Sequence, residues 1–452
     1  MAALVVHPAE RPLVGSVPVP SDKSIGHRAL LFAALANGTS RIGGYAGGAD
    51  NERTLAALEA MGARFERRRD GPKLELLVRG VGVFGLEAPR DALDCGNSGT
   101  SMRLLAGVLA AQPFRSRLVG DASLSARPMA RVAAPLRARG AKITGRDDPR
   151  RPGEVLAPLD VEGPPEGAAL SELEHALPVA SAQVKSALLL SGLWAHGATR
   201  LREPVVSRDH TERMMLALGV PLRTMGTLVE LDPAGWSGQL PALDLDLPGD
   251  PSAAAFLVLA AHVVPGSRVD VRDVCTNPTR TGLFEIARDM GAGLVVEPRG
   301  ERNGEPVGVV HAAFESLRSA RVGGELVLRA IDEVPALCAL AARARGVTTV
   351  SDAAELRVKE SDRVAATCAA LRAFGVGCEE RPDGMVVEGR EGPLRAAEVD
   401  SRGDHRIAMM AAVLALAGDG PSRVRDVDNV ATSFPKFVGT LRALGARVDV
   451  EP

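Results

Sequence analysis

The chain has 452 residues, of which 46% are hydrophobic and 24% charged, with a formal net charge of −2 at pH 7. That length supplies ample core for two to four domains, and the near-neutral balance excludes bulk electrostatic attachment to nucleic acid. Aromatic residues make up only 3%, which argues against a base-stacking platform, and no uncharged apolar segment of ~18 residues suggests a membrane span.

Met1 to Glu10 lacks a basic n-region, so no signal peptide is expected and a cytoplasmic location is. The five cysteines, Cys95, Cys275, Cys338, Cys368 and Cys378, form no CxxC pair. Such a scattered odd set points to a reducing compartment and buried thiols, and no metal site is expected.

Leu13 to Val19 alternates and predicts a strand. It runs into Pro20-Ser21-Asp22-Lys23-Ser24-Ile25-Gly26-His27-Arg28, where Ser21 or Asp22 can cap a following helix. Lys23 and Ser24 then sit in the first turn, and Arg28 lies four residues after Ser24 on the same face. A helix start with Lys, Ser and Arg suits a phosphate or carboxylate; a capped helix with solvated basic residues is the plainer alternative. Only six of the 54 basic residues are Lys, so a Lys retained here favours a chemical role for a compact ammonium.

Asp94-Cys95-Gly96-Asn97-Ser98-Gly99-Thr100-Ser101-Met102-Arg103 combines small residues with a helix start, either an anion cradle or an ordinary glycine turn. Arg127 precedes another helix and could grip a carboxylate. Ser181, Ala182, Gln183 and Lys185 open a third helix, with Ser207-Arg208-Asp209-His210 at the next; hydroxyl recognition and simple capping are both open. Asp147 to Pro165, rich in Pro, Gly and charge, reads as a surface loop. Asp332 lies in Ala330-Ile331-Asp332-Glu333-Val334-Pro335. The run Glu355-Leu356-Arg357-Val358-Lys359-Glu360-Ser361-Asp362-Arg363 mixes charges of both signs, with Lys359 and Arg363 expected on one helical face. A salt-bridged surface helix is the usual reading of such a run. A carboxylate among cations can instead serve as acid or base. Asp404-His405-Arg406 opens a sixth helix, with Arg406 the better candidate for an anion.

The phrase "apolar helix, Gly, Ala or Val, strand" occurs six times, at Gly62, Gly140, Gly219, Gly291, Gly375 and Gly445, spaced by 78, 79, 72, 84 and 70 residues. Each glycine suits a left-handed helix terminus. Six apolar helices opening on the polar clusters run in step with it, an α/β pattern. Turn-like joints at Pro20-Ser21 and Leu247-Pro248-Gly249-Asp250 divide the chain into residues 21–247 and residues 248–452 plus 1–20. If the six helix starts face one cleft, the clusters converge there.

Taken together, PSDKSIGHRA, CGNSGTSMR, ARPM, ASAQVKSALLL, SRDHTER, NPTRTG, AIDEVPAL, ELRVKESDR, GDHRIAM and ATSFP resemble, in order, the 5-enolpyruvylshikimate-3-phosphate synthase family. The resemblance implies a two-lobed inside-out α/β fold of six βαβαββ units, with no metal and no cofactor. It implies transfer of the carboxyvinyl group of phosphoenolpyruvate to the 5-hydroxyl of shikimate 3-phosphate through a tetrahedral ketal, by a monomer with no nucleic-acid or membrane partner. Lys23, Ser24, Arg28, Ser181, Ala182, Gln183, Arg208, Asp332 and Lys359 match the shikimate-phosphate set. Lys23, Gly99, Thr100, Arg127, Gln183, Arg363 and Arg406 match the phosphoenolpyruvate set. Asp332 and Glu360 match the acid/base pair, with Lys23 beside them in the catalytic set. The chain has Ser181-Ala182-Gln183 where the best-known members have Ser-Ser-Gln, and Thr432 where they have Lys, both like the family's second class. Gly99 keeps the small residue, which implies glyphosate sensitivity. Two anionic substrates on a nearly neutral chain imply cations concentrated in the cleft. A sister transferase acting on UDP-N-acetylglucosamine would have Asn at position 24 and a Cys between Asp121 and Pro128; neither is present. A non-catalytic phosphate-binding module, or an RNA-end-processing relative, fits less well with Asp332 and Glu360 among cations and with so few aromatics.

Overall fold

The structure is a computed structural model that describes residues 2–70 and 73–451; Met1 and Pro452, the outermost residues of the expected ranges, lie outside the described residues. The chain divides into two compact units. The first comprises Lys23–Leu247 with Arg302–Glu305, and the second Met1–Asp22, Pro248–Glu301 and Pro306–Pro452.

Six apolar helices start where the polar clusters predict. In the first unit they are Lys23–Leu35, Gly99–Leu109 and Ala182–Gly192. In the second they are Pro251–Val263, Val334–Ala342 and His405–Ala415. These inner helices carry apolar residues all round, and such a helix has to be buried. Every residue of Pro251–Val263, Val334–Ala342 and His405–Ala415 is indeed buried. Within each unit they form the interior, and the sheets lie outside. Gly107 shows how close they pack: a Cβ built there would fall 2.2 Å from the carbonyl oxygen of Ala187, so the second and third inner helices touch backbone to backbone.

Each outer layer is a four-stranded sheet, six in all among the described residues. Leu173–Ala176 pairs in parallel with Thr199–Arg202, which pairs antiparallel with Leu228–Leu231, leaving Leu222–Met225 at the edge. The other five repeat this order. Strand, inner helix, parallel strand, outer helix and hairpin make one βαβαββ unit. Thr199–Arg202 and Ser422–Arg425 alternate buried and exposed residues, as a sheet with one wet face must. The six repeat glycines, Gly62, Gly140, Gly219, Gly291, Gly375 and Gly445, all have positive φ, between 75° and 112°. They end the outer helices in the left-handed conformation that a side chain disfavours.

Two strands are exchanged along the chain. Val14–Pro18 precedes the first inner helix in sequence yet pairs with Arg268–Cys275, in the sheet of the fourth repeat. Asp244–Asp246 precedes the fourth inner helix yet pairs with Thr39–Gly43, in the sheet of the first. Ala3–Val6 lies between Ser422–Arg425 and Val448–Glu451 and completes the sixth.

One expectation is corrected here. Within Asp147 to Pro165, residues 148–154 form the expected exposed loop, but Val155–Glu162 is a largely buried strand paired on both sides, with Arg115–Val119 and Lys142–Asp147. Its prolines and charges masked an alternating core face, Val155, Ala157, Leu159 and Val161. Among the described residues no helix is long and apolar enough to cross a membrane.

Candidate active site

In the first unit the three inner helix starts carry a predominantly basic cluster. Lys23 sits at the first helix start with Nζ 2.9 Å from Asp50 Oδ2. Arg28, one turn on, is buried and spans two further elements. Its Nη1 donates to Ser24 O at 2.8 Å, its Nη2 to Ser186 Oγ at 2.7 Å and its Nε to Thr211 Oγ1 at 2.6 Å. Between them His27 is fully buried, with Nδ1 2.8 Å from Thr54 Oγ1. Burial lowers its pKa to about 3, with Lys23 and Arg28 adding to the effect, so the ring is neutral.

Ser98 caps the second inner helix, accepting from Ser101 N at 3.1 Å. Gly99 and Thr100 form its first turn. Arg127 Nη2 donates to Asn97 Oδ1 at 2.6 Å, and Asn97 Nδ2 to Asp121 Oδ2 at 2.7 Å, so the loop before the Ala130–Ala138 helix is tied to this turn. Ser181 caps the third inner helix, with Ala182 and Gln183 following. Gln183 bridges back: Nε2 donates to Thr100 Oγ1 at 2.9 Å, and Oε1 accepts from Arg103 Nη1 at 2.7 Å. Thus Gly99, Thr100, Arg127, Ala182 and Gln183 are brought together, and so are Lys23, Ser24 and Arg28. Arg208 stands just ahead of the His210–Ala217 helix, half-buried.

Lys185 leaves the candidate cluster. It is buried with Nζ 2.7 Å from Glu203 Oε2 and 2.6 Å from Glu212 Oε1. Burial by itself would lower its pKa; the two glutamates outweigh that and raise it. Burial also raises Glu212, because one ammonium serves two carboxylates. The group anchors Ser207 and the Arg208 segment through Glu203.

The second unit holds a network dominated by carboxylates. Asp332 lies in a short 3-10 turn, Ile331–Glu333, ahead of the fifth inner helix. Its Oδ1 is 3.3 Å from Lys359 Nζ and 3.2 Å from Arg363 Nη1. Arg363 is only 1% exposed. It also meets Glu360 Oε2 at 2.7 Å through Nη2, and Asp404 Oδ2 at 2.9 Å through Nε. Burial would lower the Arg363 pKa, but Asp404, Glu360 and Asp332 override it and raise it. For buried Asp404, burial and Glu360 would raise the pKa, but the charge and hydrogen bond of Arg363 together with His405 override them and lower it. Asp404 caps the sixth inner helix through Arg406 N at 2.9 Å, and Arg406 Nη1 donates to the Asp332 carbonyl at 2.9 Å.

One expectation changes. Lys359 and Arg363 do not share a helical face: Ala354–Val358 is a 3-10 turn, Lys359 is extended, and Asp362 caps a new helix, Arg363–Ala373, by accepting from Ala365 N at 3.0 Å. They meet at Asp332 by tertiary packing instead. The charge balance differs between the two clusters: Lys23, Arg28, Arg103 and Arg127 outnumber the acids of theirs, whereas Asp332, Glu333, Glu360 and Asp404 match or exceed the cations of theirs. Thr432 lies in the 3-10 turn Asp428–Thr432, with its hydroxyl donating to Asn429 O at 2.7 Å.

Sequence reasoning passed over Asp50, Arg103, Glu333 and Asp404 as functional partners. Arg103 had a signal, its position one helical turn after Gly99. The pairing of Asp404 with Arg363 had none, since 41 residues separate them.

The architecture matches a class of enzymes first. The enolpyruvyl transferase NikO from Streptomyces tendae superposes with a TM-score of 0.76 at 18% identity, covering 100% of this chain and 99% of that one, a likeness of fold. EPSP synthase from Acinetobacter baumannii superposes with a TM-score of 0.87 at 40% identity over 100% of both chains. The family model for EPSP synthase (3-phosphoshikimate 1-carboxyvinyltransferase) matches residues 8–441. Relatives named 3-phosphoshikimate 1-carboxyvinyltransferase include one from Xanthomonas campestris pv. campestris (strain B100), 48% identical over 97% of each chain. Another, from Acidithiobacillus ferrooxidans (strain ATCC 53993 / BNL-5-31), is 47% identical over 100% of this chain and 99% of its own. The chain belongs to the EPSP synthase family.

Proposed function

We propose that this chain transfers the carboxyvinyl group of phosphoenolpyruvate to the 5-hydroxyl of shikimate 3-phosphate and releases phosphate, with Asp332 and Glu360 as the acid/base pair. The observation that carries the residue assignment is the meeting of Lys359 and Arg363 on one oxygen of Asp332, with Glu360 on the same guanidinium. Two carboxylates on one shared guanidinium, with Lys359 beside Asp332, can exchange protons with a substrate while the cations hold its charge.

In the addition step the hydroxyl oxygen bonds to the enol carbon. Its proton passes to one carboxylate, and the methylene carbon takes a proton from the other. The product is a tetrahedral ketal that still carries phosphate. In the elimination step the new methyl group returns a proton, the C–O bond to phosphate breaks, and the double bond reforms. One proton enters and one leaves carbon, so no redox partner is required. Lys23, Ser24, Arg28, Ser181, Ala182, Gln183, Arg208, Asp332 and Lys359 serve shikimate 3-phosphate in this reading. Lys23, Gly99, Thr100, Arg127, Gln183, Arg363 and Arg406 serve phosphoenolpyruvate. Arg127 Nε and Arg406 Nε, both buried and without a hydrogen-bond partner among the described residues, are consistent with donors awaiting an anion.

Phosphate release from shikimate 3-phosphate plus phosphoenolpyruvate tests the reaction. Asp332→Asn and Glu360→Gln should each lower turnover by about 10²–10⁴-fold, the usual scale for a general acid or base. A wild type that releases no phosphate overturns the reaction, and full turnover in Asp332→Asn overturns its assignment.

A further inference from the structure

Glu333 follows Asp332 at the head of the fifth inner helix and is 1% exposed. Nothing about its neighbours in sequence marks it out. Its Oε1 accepts the hydroxyl of Ser252 and lies 3.5 Å from Arg406 Nη1, while Oε2 has no hydrogen-bond partner among the described residues. On the far side, Ser252 Oγ accepts from Arg280 Nη2 at 3.0 Å. Arg280 also reaches Asp22 Oδ2 at 2.7 Å and Asp250 Oδ1 at 3.1 Å. Arg280 therefore has carboxylates of its own, Asp22 and Asp250, and the charge of Glu333 adds to its balance only after theirs.

Arg406 does depend on it. Its Nη1 is held by two successive residues, Asp332 through the backbone oxygen at 2.9 Å and Glu333 through its carboxylate. Among the described residues its Nε and Nη2 take no protein partner. A guanidinium is a rigid planar fork, so fixing one nitrogen aims the others. Meanwhile the buried Oε2 is a cost to stability, since an unsatisfied buried carboxylate oxygen is unfavourable. An apolar residue of similar size would avoid that cost. What a carboxylate alone provides here is a charged anchor for Arg406.

We propose that Glu333 is a positioning residue for phosphoenolpyruvate: it ties down Nη1 of Arg406 so that Nη2 and Nε stay aimed at the anionic end of that substrate. The inference rests on the reading of Arg406 as a phosphoenolpyruvate ligand. Glu333 itself touches no substrate.

Steady-state phosphate release with both substrates varied, alongside thermal unfolding, tests it in Glu333→Gln and Glu333→Asp. Glu333→Gln keeps the size and can still accept from Ser252, but loses the charge that holds Arg406. It should raise KM for phosphoenolpyruvate about tenfold or more and leave KM for shikimate 3-phosphate within about twofold, as expected when one charge-assisted bond is lost at one subsite. Glu333→Asp keeps the charge and should recover part of the loss. If Glu333→Gln does not fold, Glu333→Asp carries the test with the same split between the two KM values. An active wild type with an unchanged KM for phosphoenolpyruvate in both variants overturns the inference alone. So does a parallel rise of both KM values that tracks a fall in melting temperature, which would make Glu333 merely structural. A wild type that releases no phosphate overturns the functional reading and the inference with it.

Discussion

Nε of Arg363 lies 2.9 Å from Oδ2 of Asp404, and both side chains are buried. This pair joins the start of the Arg363–Ala373 helix to the cap of the sixth inner helix, and from it Arg363 reaches on to Asp332 and Glu360. Asp404 has two duties, capping a helix and balancing a buried guanidinium. Arg363 is consequently held in place before any substrate arrives, with its charge already compensated from within the protein.

Removing Asp404 should be costly for that reason. Asp404→Ala leaves Arg363 buried with part of its compensation gone and also removes a cap. The expected loss is about 3–5 kcal/mol, the scale for breaking a buried ion pair. The shift in the denaturant midpoint of unfolding measures it; a loss below about 1 kcal/mol, the scale of a cap alone, would show that the pair contributes nothing.

Gly99 should discriminate between phosphoenolpyruvate and glyphosate. A Cβ built there would lie 2.7 Å from Arg103 Nη1 and 3.4 Å from Arg127 Nη1, so Gly99→Ala must push at least one of these guanidiniums into the space beside the helix start. The family resemblance puts the phosphoenolpyruvate phosphate there, with glyphosate competing as the longer ligand. The wild type should be glyphosate-sensitive, and Gly99→Ala should weaken glyphosate by ~1–3 kcal/mol, as for overpacking a tight site, and phosphoenolpyruvate by less. Inhibition constants against phosphoenolpyruvate decide it: equal values for the two proteins would show that Gly99 does not border the site.

Cys95, close to the Gly99 turn, should be dispensable for chemistry. Its thiol is buried, and burial, reinforced by Asp94, pushes its pKa up to about 12. The reactive form of cysteine is the thiolate, which is negligible at neutral pH under these conditions. Cys95→Ala should keep most of the turnover. A loss of more than about a thousandfold, the scale of deleting a catalytic group, would demonstrate covalent chemistry.

His27 should make the protein acid-sensitive. Its folded pKa of about 3 is below its unfolded value of 6.5. Above pH 6.5 the ring is neutral in both states and contributes nothing to the pH dependence. As pH falls from there towards 3, the unfolded chain gains a proton that the folded chain refuses, and stability declines. By pH 4 the deficit from this one residue is about 3 kcal/mol. His27→Gln, which keeps a polar atom for Thr54, should lose correspondingly less between pH 7 and pH 4. Chemical denaturation of both proteins at the two pH values would reveal it, and identical losses would rule out His27 as the source.

Much of the architecture was legible because it is local and repeated. An apolar helix with no polar face, a glycine forced into positive φ and a short β-branched strand are each written in consecutive residues. Six copies made the pattern unambiguous, down to Gly62, Gly140, Gly219, Gly291, Gly375 and Gly445. The six helix starts, and with them Lys23, Gly99, Ser181, Asp332 and Arg406, were legible for the same reason, since capping residues and apolar periods sit next to one another. What the sequence could not show is which distant partner each charged residue meets. Lys185 and Lys359 look alike as rare lysines near helix starts. Only packing consigns Lys185 to Glu203 and Glu212 in the interior and leaves Lys359 beside Asp332. Likewise Lys359 and Arg363 read as one helical face until Asp362 caps a new helix between them, and Val155–Glu162 read as loop until its pairing on both sides was seen. Helix formation and chain reversal are decided within a few residues, so a sequence can determine them. Ion pairing in a low-dielectric interior is decided by which elements the fold brings within about 4 Å, and that distance exists only in the folded chain.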